Sequence, residues 1–238
     1  MSLLPEHEGL PAPHKADAGA SPGDTDRVAR FRSSMEIDYQ RWKNGVGYDL
    51  SVLKSATPEE RDAIERLLIA RGVRDWRDVE ALAAVNTPRA KEMLRETLRG
   101  GSPELAHAVT RHAPGLVDGE TRTAVLVRAL EEAGFFGGLT QALNEVRSFH
   151  PPAVIDALLR GVLRRQGGPQ VHFAAMLLYL HGKADSPFDL KQRPYFLRFN
   201  TSSRKEREAL FRDLCGRIGV DPGCFLSGTD RDEEGYRN

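Results

Sequence analysis

The sequence predicts an all-α protein: a right-handed α-solenoid of stacked antiparallel helix pairs, with irregular caps at both ends. Three observations predict it. Helix-start signals recur at a period of roughly 30–35 residues, two short helices to a period, which is the signature of stacked helical repeats. The segments between them carry apolar residues at i, i+3, i+4 and i+7, the spacing of one buried helix face. Between Gly168 and Gly182 every residue from Phe173 to Leu180 is apolar or amphipathic. That run is shorter than the ~20 apolar residues a bilayer span needs. A helix apolar on all sides must be covered on most of them, so this one is expected to be an inner helix under the tail of the chain.

Residues 1–34 are rich in Pro, Ala, Gly, Asp and Ser, as in Pro11-Ala12-Pro13 and Ala18-Gly19-Ala20-Ser21-Pro22-Gly23-Asp24. Such a composition buries too little apolar surface to offset ordering, so a disordered tail is expected here, with Met35 as a candidate native start. Tyr39, Trp42, Val46, Tyr48 and Leu50 then gather around Gly45 and Gly47. They read as an N-terminal cap or as part of a binding face, where Trp and Tyr are enriched.

Regular punctuation begins at Thr57-Pro58-Glu59-Glu60, which offers a cap hydroxyl, a proline at the first helical position and a glutamate three residues on. Ile64, Leu67 and Leu68 supply the stripe and Gly72 the stop. Asp75 caps the next helix, with Val79, Leu82 and Ala83 on one face. Thr87-Pro88, Ser102-Pro103-Glu104 and Asp118-Gly119-Glu120 open three more. Leu139, Ala142, Leu143 and Val146 mark another, after Gly137-Gly138. Pro151-Pro152 opens a helix striped by Val154, Ile155, Leu158, Leu159, Val162 and Leu163, and Gly167-Gly168 separates it from the inner helix. Lys183–Thr201, with Phe188, Tyr195, Phe196, Leu197 and Phe199 between prolines, reads as a long connection folded on the core or held out to a partner. Ser203 opens a last strong helix, with Leu210, Phe211, Leu214 and Ile218 inward and Arg204, Lys205, Arg207, Glu208 and Arg212 outward. One domain over 35–226 is expected, followed by a flexible polar end at 227–238.

The helix pairs over about 57–182 resemble degenerate HEAT repeats; Ser102-Pro103-Glu104-Leu105-Ala106-His107-Ala108-Val109 is similar to the second-helix pattern of that repeat. Tyr48-Asp49-Leu50 and Thr57-Pro58-Glu59-Glu60-Arg61 are similar to openings in bacterial immunity proteins of polymorphic toxin systems. The resemblance implies a non-enzymatic protein that binds a cognate toxin domain; the few cysteines and the lack of a signal segment or membrane-spanning run give the expectation of a cytoplasmic protein.

Composition bounds the alternatives. Lys+Arg and Asp+Glu are both 34 among 238 residues, which argues against a general nucleic-acid binder with its basic excess. Cys215 and Cys224 are too few for a secreted disulfide framework and lack the paired spacing of a zinc site. The chain's start shows no basic and apolar signal segment. His107 and His112 fall off a common helix face, and His172 and His181 stand at opposite ends of one helix, so neither pair has metal-ligand spacing. No phosphate-cradling loop or nucleophile elbow is present. We therefore expect no catalytic residues, no metal, no cofactor and no membrane partner.

The candidate partner-binding residues are Trp76 with Asp75 and Asp78, read as an anionic groove with an aromatic anchor for a basic partner, and the aromatics Tyr39, Trp42, Tyr195 and Phe196. Two other functions remain open from sequence. One is a HEAT-like enzyme of the DNA glycosylase type, for which Trp76, Asp75 and Asp78 are the only candidate centre. The other is a maturation or chromophore-lyase scaffold.

Overall fold

The structure is a computed structural model that describes residues 25–134 and 138–226. Among the described residues it is all-helical and holds no strand. The helices are α1 (Asp26–Ser34), α2 (Tyr39–Lys43), α3 (Val52–Ser55), α4 (Pro58–Arg71), α5 (Trp76–Val85), α6 (Pro88–Gly100), α7 (Pro103–His112), α8 (Gly119–Glu132), α9 (Thr140–Val146), α10 (Pro152–Arg164), α11 (Pro169–Leu180), α12 (Arg193–Leu197), α13 (Arg204–Ile218) and α14 (Gly223–Leu226). The chain divides into two compact units, 1–67 and 68–238, with the division inside α4.

In the first unit, residues 26–34 are helix rather than tail. Thr25 caps α1 through its side chain, and Val28 and Phe31 are buried, Phe31 completely. Ser34 Oγ donates to the Phe31 carbonyl (2.6 Å) and accepts from Asp49 N–H (2.9 Å), fixing the turn that brings Tyr48 edge-on to Phe31 at 6.0 Å. A chain starting at Met35 would lack this packing. The rest of the expected tail, and the end at 227–238, lie outside the described residues. The Thr57 cap forms as a reciprocal box: Thr57 N–H donates to Glu60 (2.8 Å) and Glu60 N–H to Thr57 Oγ1 (3.3 Å). Arg27 of α1 adds an ion pair to Glu60 at 3.3 Å.

In the second unit, Asp75, Thr87, Ser102, Asp118 and Ser203 each cap the helix they precede, through a side-chain bond to a backbone N–H. Helices adjacent in sequence pack on one another from α5 to α8; α8 then packs on α10, α10 on α11, and α11 on both α12 and α13. Nine of the twelve residues of α11 are buried, as its all-round apolar character requires. Its closest neighbour is α10, where Gly161 faces the Phe173 ring. The connection after α11 folds onto it: Phe196 and Phe199 are fully buried, and Phe188 lies 5.1 Å from His172, ring to ring.

Both cysteines are free, Cys215 buried in α13 and Cys224 exposed. Burial, with lesser help from Cys224 and Asp221, pushes the Cys215 thiol up to about 11. Because the thiolate is the reacting form, a maleimide reagent at pH 7 should modify Cys224 rapidly and Cys215 only after denaturation. Counting one fast equivalent in the native protein and two in urea by mass spectrometry checks this.

Candidate functional site

The seven residues singled out from sequence separate into surface and interior. Tyr39 and Trp42, on α2 of the first unit, are 71% and 61% exposed and stack on each other at 6.1 Å with an interplanar angle of 27°. The helix has no buried residue, and Val46 just beyond it is also exposed. Asp38 caps α2 by accepting from Arg41 N–H at 2.7 Å, and Arg41 reaches back to the Glu36 carbonyl at 2.9 Å, so the short helix is tied at its start.

At α5 the two acids differ: Asp78 lies in the interior and Asp75 keeps 35% of its side-chain surface. Asp78 is fully buried: its Oδ2 accepts from Arg74 N–H (2.9 Å) and Asp75 N–H (3.2 Å), and its Oδ1 from Arg71 Nε (3.1 Å). Asp75 accepts from Arg77 N–H at 2.8 Å and pairs with the Arg77 guanidinium at 3.5 Å. Each carboxylate engages a helix start and an arginine; buried Asp78 requires such pairing, whereas Asp75 is partly exposed. Trp76 is half-buried between Arg77, 4.7 Å from its ring centroid, and His112, stacked at 6.2 Å.

Tyr195 and Phe196 also turn inward. Phe196 is fully buried, and Tyr195 is half-buried with Arg217 over its ring at 4.1 Å. Burial, then the Asp213 carboxylate, drives the Tyr195 hydroxyl well above the usual phenol range. Their neighbours Leu190 (73%) and Leu197 (49%) are the exposed apolar side chains of that segment.

A cleft that sequence reasoning did not find lies among α7, α8 and α9. Its volume is about 760 Å³, within the range of small-molecule sites. At its wall, Glu145 of α9 joins three helices: Oε2 lies 2.6 Å from Nε2 of His107 on α7, and Oε1 accepts from Nε of Arg122 on α8 at 2.5 Å. His107 is buried and Glu145 nearly so, whereas Arg122 keeps 41% of its side-chain surface. Burial pushes the Glu145 carboxyl up, but hydrogen bonds and charge from His107 and Arg122 outweigh it and hold it below the ordinary glutamate range. An ionised carboxylate only accepts, so Nε2 carries the His107 proton that faces it. The Arg122 guanidinium also lies over the Phe149 ring at 4.1 Å. His107, Arg122 and Glu145 come from three separate helices, and no local spacing announces them.

Among the described residues no group of three or more His, Cys, Asp or Glu side chains is placed to hold a metal ion, and no helix is long and apolar enough to cross a membrane. With this geometry in hand, comparison with known proteins adds no relative: no family model, no curated protein and no solved structure matches the chain.

Proposed function

We propose that this protein is a non-enzymatic protein-binding scaffold whose helix pairs form a HEAT-like right-handed α-solenoid, and that its partner is a cognate toxin domain, as for an immunity protein. The observation that carries the binding reading is the Tyr39–Trp42 pair. Two large aromatic side chains lie stacked and exposed on a helix that buries nothing, at a cost in solvation that a partner would recover. Tyr, Trp and Arg dominate binding energy at protein interfaces, and Arg41 lies between the two on the same short helix. The solenoid reading is supported by the sequential packing of α5, α6, α7 and α8 and of α10 on α11. The choice of a toxin rests on the resemblance at 48–50 and 57–61.

The test is co-expression with the product of an adjacent toxin gene, followed by calorimetric titration of the purified pair. Wild-type protein should neutralise toxicity and bind one to one. The double variant Tyr39→Ala/Trp42→Ala should weaken binding by about 30-fold or more, the size of a hot-spot loss. Its folding stability should change by no more than about 0.5 kcal/mol, because both side chains are exposed. A double variant that binds as tightly as wild type would overturn the assignment of this surface.

A further inference from the structure

We infer that the cleft among α7, α8 and α9 binds a carboxylate group, with the outer edge of Arg122 as its receptor and Arg111 as the second cation.

Arg122 is held the way a recognition arginine is held. Its Nε is engaged by Glu145 at 2.5 Å, and its planar face rests 4.1 Å from the Phe149 ring centroid. Glu145 is itself anchored from behind by buried His107 at 2.6 Å. The guanidinium plane is therefore fixed on one edge and one face. Its terminal Nη1 and Nη2 make no hydrogen bond among the described residues, and the side chain lines the cleft. A guanidinium presents paired N–H donors in a rigid fork that matches the two oxygens of a carboxylate. Fixing that fork beforehand removes much of the ordering cost of binding.

The charges of the cleft point to an anion. Both of its acids are engaged by the fold: Asp118 caps α8, its Oδ1 accepting from Thr121 N–H at 2.7 Å, and both oxygens of Glu145 are taken. Arg111, exposed near the end of α7, lines the same cleft and forms no ion pair among the described residues. Two guanidinium groups thus present donors to the cleft, and of its two carboxylates Glu145 is engaged at both oxygens while exposed Asp118 is engaged at the start of α8. The exposed amides of Gln141 and Asn144 on α9 add neutral donors for the rest of the molecule. The site lies wholly within the second unit and stands independently of the α2 surface.

A carboxylate can arrive on a free organic acid or on an acidic side chain of a partner, and the experiment has an arm for each. The full-length protein is titrated calorimetrically with acetate, succinate, citrate and glutamate, and separately with a hexaglutamate peptide, at low ionic strength. Saturable binding is expected for at least one probe, about tenfold weaker in Arg122→Lys, which keeps the charge but loses the fork. Arg111→Gln should weaken the same probe about threefold or more; this residue is exposed, so the variant reports even if position 122 disturbs folding. Binding by the free acids assigns the cleft to a small molecule, and binding by the peptide alone assigns it to a partner's acidic segment. No saturable binding by any probe up to about 10 mM, or equal affinities in wild type and both variants, would overturn the proposal.

Discussion

Phe173→Ala should cost about 3–5 kcal/mol of folding stability, the loss expected for emptying a fully enclosed aromatic site. Phe173 has no exposed surface, and its ring lies against the one position of α10 where a side chain is missing. A Cβ built at Gly161 overlaps Cδ2 and Cε2 of that ring. The reciprocal change, Gly161→Ala, therefore sets two effects in opposition. Helix propensity favours alanine by about 1 kcal/mol in a helix interior. Overpacking opposes it by about 1–3 kcal/mol, and more where the struck group cannot move. The ring is enclosed, so the clash should win and Gly161→Ala should be destabilising. The double variant decides whether this contact is the cause. With the ring gone, the new methyl occupies part of the void, so Gly161→Ala/Phe173→Ala should be more stable than the sum of the two losses predicts. Urea unfolding of the four proteins followed by circular dichroism measures this; strict additivity would show that the two positions do not meet.

Glycine at 161 was not singled out from sequence, although the stripe around it was. A stripe shows which face of a helix is apolar; it does not show which residue on that face meets a neighbour's ring. What could be read was local. Thr57, Asp75, Thr87, Ser102, Asp118 and Ser203 all cap helices as expected, because capping joins atoms within three residues. The inner position of α11 was legible because no face of it is polar. The same logic, carried one residue further, would have found Asp78. It stands three residues after Asp75, as Glu60 stands after Thr57, and closes the same kind of box. A capping box engages the carboxylate that closes it, which is why Asp78 faces its own helix start.

The other departures have different causes. α1 was hidden because its buried apolar residues, Val28 and Phe31, lie one turn apart in a largely polar stretch next to Pro- and Gly-rich sequence. Tyr195 and Phe196 were chosen for residue type, but a helix turns about 100° per residue, and burial follows angle rather than type. Leu197, the next residue, is the one left in water. The cleft was illegible for a third reason. His107, Arg122 and Glu145 meet only when three helices pack, and each alone passes for an ordinary surface or cap residue.

Those three residues make the second large prediction. Glu145→Gln should destabilise the protein by about 1–3 kcal/mol near neutral pH, the range for losing a charged hydrogen bond within the fold. Most of the loss should come from the His107 side, where the imidazole is buried; the Arg122 pair is partly screened by water because that side chain is 41% exposed. The pH dependence has a definite sign. The folded-state pKa of Glu145 is depressed below its ordinary value of 4.5. Its contribution is therefore complete above that value and is lost as the pH falls through the lower folded-state pKa, where the native carboxylate takes up its proton. Other acids titrate in the same window, so wild-type stability alone would not isolate Glu145. The difference between wild type and Glu145→Gln does, since the remaining acids cancel to first order. That difference should shrink as the pH falls below 4.5. A difference that stays constant down to pH 3 would mean that loss of charge at this position does not weaken the tie among α7, α8 and α9, and that packing of the side chain alone accounts for its effect.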